Sequence, residues 1–189
     1  MTNTFNIGTT FTLSIINAGG ANVSTPNIVV GLAMFYGGLC QLLAGMWEFA
    51  TGNTFAATAL SSYGGFWLSY GAIFIPWFGI EAAYASNENE MNKALGIYLI
   101  NWFIITFLFC IASSRSSVAL FFVLFFLMIT FILLAAHSFT GSTGVQTAAG
   151  VMGAITSFNA WYVALAGLLT PDSSWFTLPT ISLDFKSKK

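Results

Sequence analysis

The chain has 189 residues, of which 57% are hydrophobic and 6% are charged, whereas about 25% of the residues in a soluble domain are charged. So few charged side chains cannot cover the surface of a water-soluble domain. The net charge of −1 indicates neither a nucleic-acid partner nor an acidic partner surface. Long uncharged stretches instead predict a protein that crosses a lipid bilayer several times.

The first predicted span, over residues 5–16, is shorter than the others. It leans apolar but is interrupted by threonines. At 1.5 Å per residue it extends only ~18 Å, whereas the hydrocarbon core of a bilayer is ~30 Å thick. We therefore predict that this first helix is truncated or atypical.

Five full-length spans follow in the sequence. We predict them over residues 27–49, 61–80, 93–113, 117–137 and 145–169. A Ser-Thr pair before Pro26 is typical of a helix start, and Pro76 is tolerated near the end of its span. The predicted fold is therefore an all-α polytopic membrane bundle of six transmembrane helices. It forms one membrane domain over residues 1–170, followed by a cytoplasmic C-terminal tail over 171–189.

The distribution of Lys and Arg predicts the orientation in the membrane. With six crossings, Arg115 shares one side with the three lysines of the tail, and Lys93 lies alone on the other side. Positive loops face the cytoplasm, so both termini are expected there. With five crossings the tail stays cytoplasmic, but the N-terminus lies outside.

Neutral polar residues occur within most of the predicted spans, and no ionisable residue lies at mid-depth. Such side chains either form hydrogen bonds between helices or line an uncharged pathway for a small solute. Tyr63 shares a helical face with three other aromatic residues, and spacing alone fits a pore wall and core packing equally. The other candidates for lining a pathway are Thr10, Ser14, Asn17, Gln41, Ser62, Ser69, Asn101, Thr130, Thr156 and Asn159.

Three titratable residues, Glu48, Glu81 and His137, lie at the ends of predicted spans beside aromatic residues. They are either interfacial anchors or sites of proton coupling. The sequence has no paired carboxylates, no nucleophile–base arrangement and no metal or nucleotide motif. We therefore expect neither an enzyme nor a cofactor or metal site.

A long motif, "FYGG…AG…E…GNTF…SYG.FWL", carries a family resemblance. It lies within residues 34–80 and resembles the acetate uptake transporter family, which includes bacterial succinate–acetate permeases and fungal acetate and ammonia-export proteins. The resemblance extends from about Gly8 to Gly167. The segments "IPWFGIEAAY" and "MNKALGIYL" resemble sequences of the fungal branch of that family.

The resemblance implies a plasma-membrane homo-hexamer with a solute pathway through each six-helix protomer. In the family this pathway narrows between an aromatic residue of the first helix, a tyrosine and a leucine. The tyrosine corresponds to Tyr63 and the leucine to Leu127. The aromatic position corresponds to Asn6, or to Phe5 if the register slips by one residue.

This sequence departs from the family at the start of the first helix, where the signature "NPAPLGL" is absent. We expect either that the reading frame begins further upstream or that the protein has lost half of this helix. Such a loss would remove one wall of the pathway.

Together these features predict membrane transport of acetate or a similar small monocarboxylate. A proton is expected to move with the solute, because a bare carboxylate is costly to carry through an apolar constriction. One alternative is export of ammonia or ammonium. The other is a non-transporting membrane scaffold or a truncated, inactive paralogue. The expected partners are the small solute, the lipid bilayer and further copies of this chain, with no nucleic acid.

Overall fold

The computed structural model describes residues 7–23, 25–172 and 174–183, and these residues form a bundle of helices. Six of the helices have at least 11 residues: α1 (Ile7–Asn17), α2 (Ile28–Ala50), α3 (Thr54–Ile73), α4 (Glu88–Ala112), α5 (Val118–Thr140) and α6 (Thr143–Leu168). Shorter helical turns lie at Gly20–Asn22, Pro76–Phe78, Ile80–Ala83 and Ser113–Arg115. The predicted all-α fold is confirmed.

Side-chain caps set the start of three helices. The side chains of Asn53, Asn87 and Ser117 each accept a hydrogen bond of 3.2 Å from the backbone N–H three residues further on. This satisfies an amide that the helix leaves unpaired. The cap at Asn53 explains why α3 begins at Thr54 rather than at residue 61 of the predicted span. Its end at Ile73 rather than 80 reflects Pro76, which starts a separate turn.

Helices that are neighbours in the chain are also neighbours in space. Backbone contacts join α1 to α2, α2 to α3, α4 to α5, and α5 to α6, while α6 returns to pack against α1. Between α3 and α4 the contact is made by larger side chains, such as the rings of Phe66 and Trp102, whose centroids are 5.1 Å apart. The six helices therefore form a continuous ring of packed neighbours.

Glycines bring the short helix α1 close to both of its neighbours. A methyl group added at Gly37 of α2 would lie 2.8 Å from Thr9 Oγ1, and one at Gly150 of α6 would lie 2.6 Å from the Ser14 carbonyl oxygen. Thr9 is completely buried. Helix α1 is thus a packed wall of the bundle despite its length, because small residues let the backbones approach.

Four stretches are long and apolar enough to cross a membrane, namely Ile28–Ala50, Glu88–Arg115, Val118–Thr140 and Thr143–Leu168. They also carry large apolar side chains on their outer surfaces, including Phe35, Leu108, Phe122 and Phe158. The chain is therefore a multi-pass membrane protein. The predicted count of six crossings stays a prediction, since it depends on α1 and α3.

The described part of the tail returns to the bundle. Val118 N–H donates to the Ile181 carbonyl (2.9 Å), and Leu183 N–H donates to the Ser116 carbonyl (3.0 Å). The Tyr162 hydroxyl of α6 donates to the Pro179 carbonyl (2.6 Å). Residues 174–183 therefore lie against the start of α5 and the second half of α6.

Candidate functional site

Two of the cavities in the bundle share lining residues, and the larger of them has a volume of about 370 Å³ and is lined by α2, α3, α5 and α6. Its polar end lies where helices meet the surface and includes Glu48, Asn53, Ser116 and Ser117. Deeper in the bundle, apolar side chains replace these polar ones. They include Leu60, Leu120, Val123, Leu124, Ala160 and Ala164.

The polar end is organised around the turn between α2 and α3. Asn53 Nδ2 donates to Glu48 Oε2 at 2.8 Å, while Asn53 Oδ1 caps α3. The single asparagine side chain therefore fixes both the start of a helix and the position of a carboxylate that faces the cavity.

Gln41 is the most deeply buried polar residue of this lining, with 1% of its surface exposed. It directly follows a π-helical stretch of α2, Leu32–Cys40. No described residue donates a hydrogen bond to its Oε1 atom. Buried polar atoms are usually paired, so this oxygen is exceptional.

The smaller cavity has a volume of about 40 Å³ and lies towards the other end of the bundle. Its lining uses the second half of α5 and the first half of α6, whereas the larger cavity uses the opposite halves of these antiparallel helices. Thr10, Ser14 and Asn17 of α1 and Thr130 of α5 are among its lining residues. Helix α1 therefore forms part of the wall at this end.

Two residues, Tyr63 and Leu127, line both cavities. Both are buried, with 5% and 9% of their surfaces exposed. The Tyr63 hydroxyl donates to Thr106 Oγ1 of α4 at 3.1 Å. Thr106 is itself completely buried, so a helix outside the cavity lining holds the phenol ring between the two cavities.

Aromatic neighbours further restrict the Tyr63 ring. Phe109 meets it edge-on, with centroids 5.8 Å apart, and Trp102 lies 6.4 Å away. Both neighbours belong to α4. The contact between α3 and α4 therefore sets the position of the residue that separates the cavities.

The structure brings about half of the predicted polar candidates to the cavities. Gln41 lines the larger cavity, and Thr10, Ser14, Asn17 and Thr130 line the smaller one. The candidates outside both linings are Ser62, Ser69, Asn101, Thr156 and Asn159. Thr156 and Asn159 donate to carbonyls of their own helix, Ser69 pairs with Tyr98, and Asn101 is exposed.

The three titratable candidates separate in the same way. Glu48 lines the larger cavity. Glu81 is exposed on the short helix Ile80–Ala83. His137 lies in the last turn of α5, and its Nδ1 atom is 3.0 Å from the carbonyl oxygen of Ser142, which follows the helix. Phe5 and Asn6, predicted to complete the constriction, lie outside the described residues.

Sequence reasoning missed two polar residues of this site. Thr106 is a lone hydroxyl in an apolar stretch of α4, a signal that could have identified it. Asn53 belongs to the "GNTF" part of the motif, directly after a turn. In the described part of the chain, no group of three or more His, Cys, Asp or Glu side chains could hold a metal ion.

The fold and the cavities define a multi-pass helical membrane protein with two internal cavities that share a tyrosine and a leucine. The chain belongs to the GPR1/FUN34/yaaH family, whose family model matches residues 4–185.

Individual relatives agree with this assignment. The chain is 49% identical to Ammonia transport outward protein 2 of Saccharomyces cerevisiae. The match covers 95% of this chain and 64% of the yeast protein. It is 33% identical to the Succinate-acetate/proton symporter SatP of Escherichia coli, covering 90% of this chain and 87% of that one. The chain thus spans less than two thirds of the length of the yeast relative.

Among solved structures, the bacterial acetate channel SatP is similar to this chain with a TM-score of 0.83 and 31% sequence identity. The match covers 94% of both chains. The arrangement of helices described above is therefore shared with a membrane channel over nearly its whole length.

Proposed function

We propose that this chain carries acetate or a similar small monocarboxylate across the membrane, together with a proton. The observation that carries the proposal is that Tyr63 and Leu127 line both cavities. A solute passing from one cavity to the other would meet these two side chains. Similarity to proteins named as an acetate channel and as a succinate-acetate/proton symporter supports the choice of solute.

The chemistry of the lining favours a solute that is uncharged when it passes the narrow point, the place between the two cavities where Tyr63 and Leu127 lie. Most of the residues around Tyr63 and Leu127 are apolar, and a bare carboxylate there would lose its hydration without gaining a cation. Protonation removes this cost. Glu48, at the polar end of the larger cavity, is the titratable side chain best placed to exchange a proton with an entering solute.

We further propose that the larger cavity opens to the cytoplasm of a plasma-membrane homo-hexamer. Arg115 is exposed at the end of the bundle where Ser116 and Ser117 line this cavity. Lys93 is exposed in the first turns of α4, at the other end. The orientation follows from the preference of positive loops for the cytoplasm, and the hexamer from the family resemblance.

Ammonia export is the second candidate function. It is favoured by 49% identity to a yeast protein named for outward ammonia transport. An uncharged constriction would pass ammonia as readily as an undissociated acid. The two solutes therefore need to be compared directly on the same protein.

Uptake by reconstituted vesicles tests both candidates. We expect vesicles containing the protein to take up labelled acetate, and Tyr63→Ala and Leu127→Ala to change the rate severalfold. Leu108→Ala, an exposed residue of α4, is the matched control. Methylammonium uptake by the same vesicles separates the second candidate. Vesicles no more permeable than empty ones to either solute would refute transport and favour the scaffold.

A further inference from the structure

The tail segment of residues 174–183 presents large apolar side chains that no described residue covers. Trp175 is fully exposed, while Phe176 and Ile181 expose 62% and 67% of their surfaces. The segment contains no charged residue. Apolar side chains gathered in one exposed segment are unfavourable in water, so they mark a surface that contacts something outside the protomer.

The other side of this segment is attached to the bundle. The Val118 N–H donates to the Ile181 carbonyl at 2.9 Å, and the Leu183 N–H donates to the Ser116 carbonyl at 3.0 Å. These two bonds form a short antiparallel pairing between the end of the segment and the start of α5. The exposed side chains therefore belong to a segment whose position is fixed by hydrogen bonds.

The segment lies beside the surface of α6 rather than beyond the end of that helix. The Tyr162 hydroxyl donates to the Pro179 carbonyl at 2.6 Å. Tyr162 precedes Leu168, the last residue of α6, by ~9 Å at 1.5 Å per residue. Helical side chains also lean towards the start of their helix, so this contact lies well within α6, which is long and apolar enough to cross a membrane.

The charged end of the bundle is close to the same segment. Arg115 is exposed directly before Ser116, the residue that pairs with Leu183. A guanidinium group at the end of a membrane helix stays at or beyond the headgroups, because burying its charge in hydrocarbon is costly. The segment therefore lies between the level of a hydrated charge and the apolar surface of α6.

We propose that residues 174–183 form an interfacial anchor, in which Trp175, Phe176 and Ile181 insert into lipid at the boundary between headgroups and hydrocarbon. Tryptophan is enriched at this level, because its ring is apolar while its N–H bonds to water or headgroups. Since the segment has no charge of its own, the anchor requires no anionic lipid. The proposal goes beyond the proposed function and does not depend on which solute the chain carries.

The anchor also reaches the larger cavity. Ser116 and Ser117 belong to the lining of that cavity, and Ser117 forms a β-bridge with Ser182 of the segment. Insertion of the segment into lipid therefore holds this edge of the cavity at a fixed level relative to the bilayer surface.

Spin labels that report contact with lipid or water test the anchor. Oxygen concentrates in hydrocarbon, whereas nickel ethylenediaminediacetate stays in water. The protein, with Cys40 and Cys110 replaced by alanine, would carry a nitroxide at Phe176→Cys or at Ile181→Cys in nanodiscs of phosphatidylcholine alone. We expect the ratio of oxygen to nickel accessibility at both positions to be severalfold higher than at Asn89→Cys, an exposed position in the first turn of α4.

Two results would overturn the proposal. Ratios at Phe176→Cys and Ile181→Cys equal to the ratio at Asn89→Cys would place the segment in water. Low accessibility to both reagents would instead place protein, such as a second copy of the chain, over the segment.

A second measurement keeps the native cysteines. The difference in fluorescence between the wild type and Trp175→Phe reports Trp175 alone, and this exposed substitution leaves the packing of the bundle unchanged. We expect phosphatidylcholine brominated near the headgroup end of its acyl chains to quench most of this difference. A difference that persists at full strength in the brominated nanodiscs would contradict the insertion of Trp175.

Discussion

The hydrogen bond between Tyr63 and Thr106 permits a quantitative test of how the phenol ring is held between the cavities. The bond is 3.1 Å long and fully enclosed between α3 and α4. A buried neutral hydrogen bond contributes about 1 kcal/mol to the state that contains it. Removing it should therefore shift the balance between a fixed and a displaced ring by about fivefold, since a tenfold change corresponds to about 1.4 kcal/mol.

Two substitutions remove this bond from either side with little change in shape. Tyr63→Phe deletes the donor, and Thr106→Val replaces the acceptor with a methyl group. We expect each to raise acetate flux into vesicles by up to about fivefold, because the ring is released. The double variant should match either single variant, since the two substitutions break the same bond.

Tyr98→Phe provides the matched control. The Tyr98 hydroxyl also joins α3 and α4, through Ser69 and the Phe66 carbonyl, but this residue lines neither cavity. It should lower the melting temperature without altering flux. Additive effects of Tyr63→Phe and Thr106→Val, or an equal change of flux in Tyr98→Phe, would contradict the assignment of Tyr63 to the narrow point.

Two further predictions concern the contact between α2 and α3. Gly64→Ala should lower the melting temperature in detergent, because its methyl group would meet the α2 backbone at 2.7 Å, whereas Gly65→Ala, with nothing within 4 Å, should leave it unchanged or higher. A destabilised Gly65→Ala together with an unaffected Gly64→Ala would contradict this packing. Asn53→Ala should lose the cap of α3, worth about 1 kcal/mol, and the hydrogen bond to Glu48. We expect Asn53→Ala to lower both the melting temperature and acetate uptake. Asn53→Ser keeps a capping oxygen, so its melting temperature should return towards that of the wild type while its acetate uptake stays as low as that of Asn53→Ala. Wild-type uptake by Asn53→Ser would show that the position of Glu48 does not matter.

Several features of this chain could be read from its residues alone. The scarcity of charges and the length of the apolar stretches predict a membrane bundle, because each crossing must bury its own backbone hydrogen bonds in a helix. The "SYG" motif and the resemblance pointed to Tyr63 and Leu127. The cap at Asn53 was not predicted, and the span predicted over residues 61–80 is observed as a helix over Thr54–Ile73.

The sequence could not separate the polar side chains that face a cavity from those that do not. A Ser, Thr or Asn within an apolar helix can donate to a carbonyl of its own helix, as Thr156 and Asn159 do here. Thr130 makes the same kind of bond to the Phe126 carbonyl and still lines the smaller cavity. Which outcome applies depends on the rotation of each helix against its neighbours.

Composition and periodicity therefore determined the class of the protein, because the cost of burying an unpaired backbone or a charge in lipid depends only on the segment itself. The tertiary structure alone decided that Gln41 is buried with its Oε1 atom unpaired, and that Thr106 holds Tyr63 across the contact of α3 and α4. The first result depends on how closely glycines let α2 approach α3, and the second on how aromatic side chains pack between α3 and α4. Both are properties of pairs of helices, and no single span contains them.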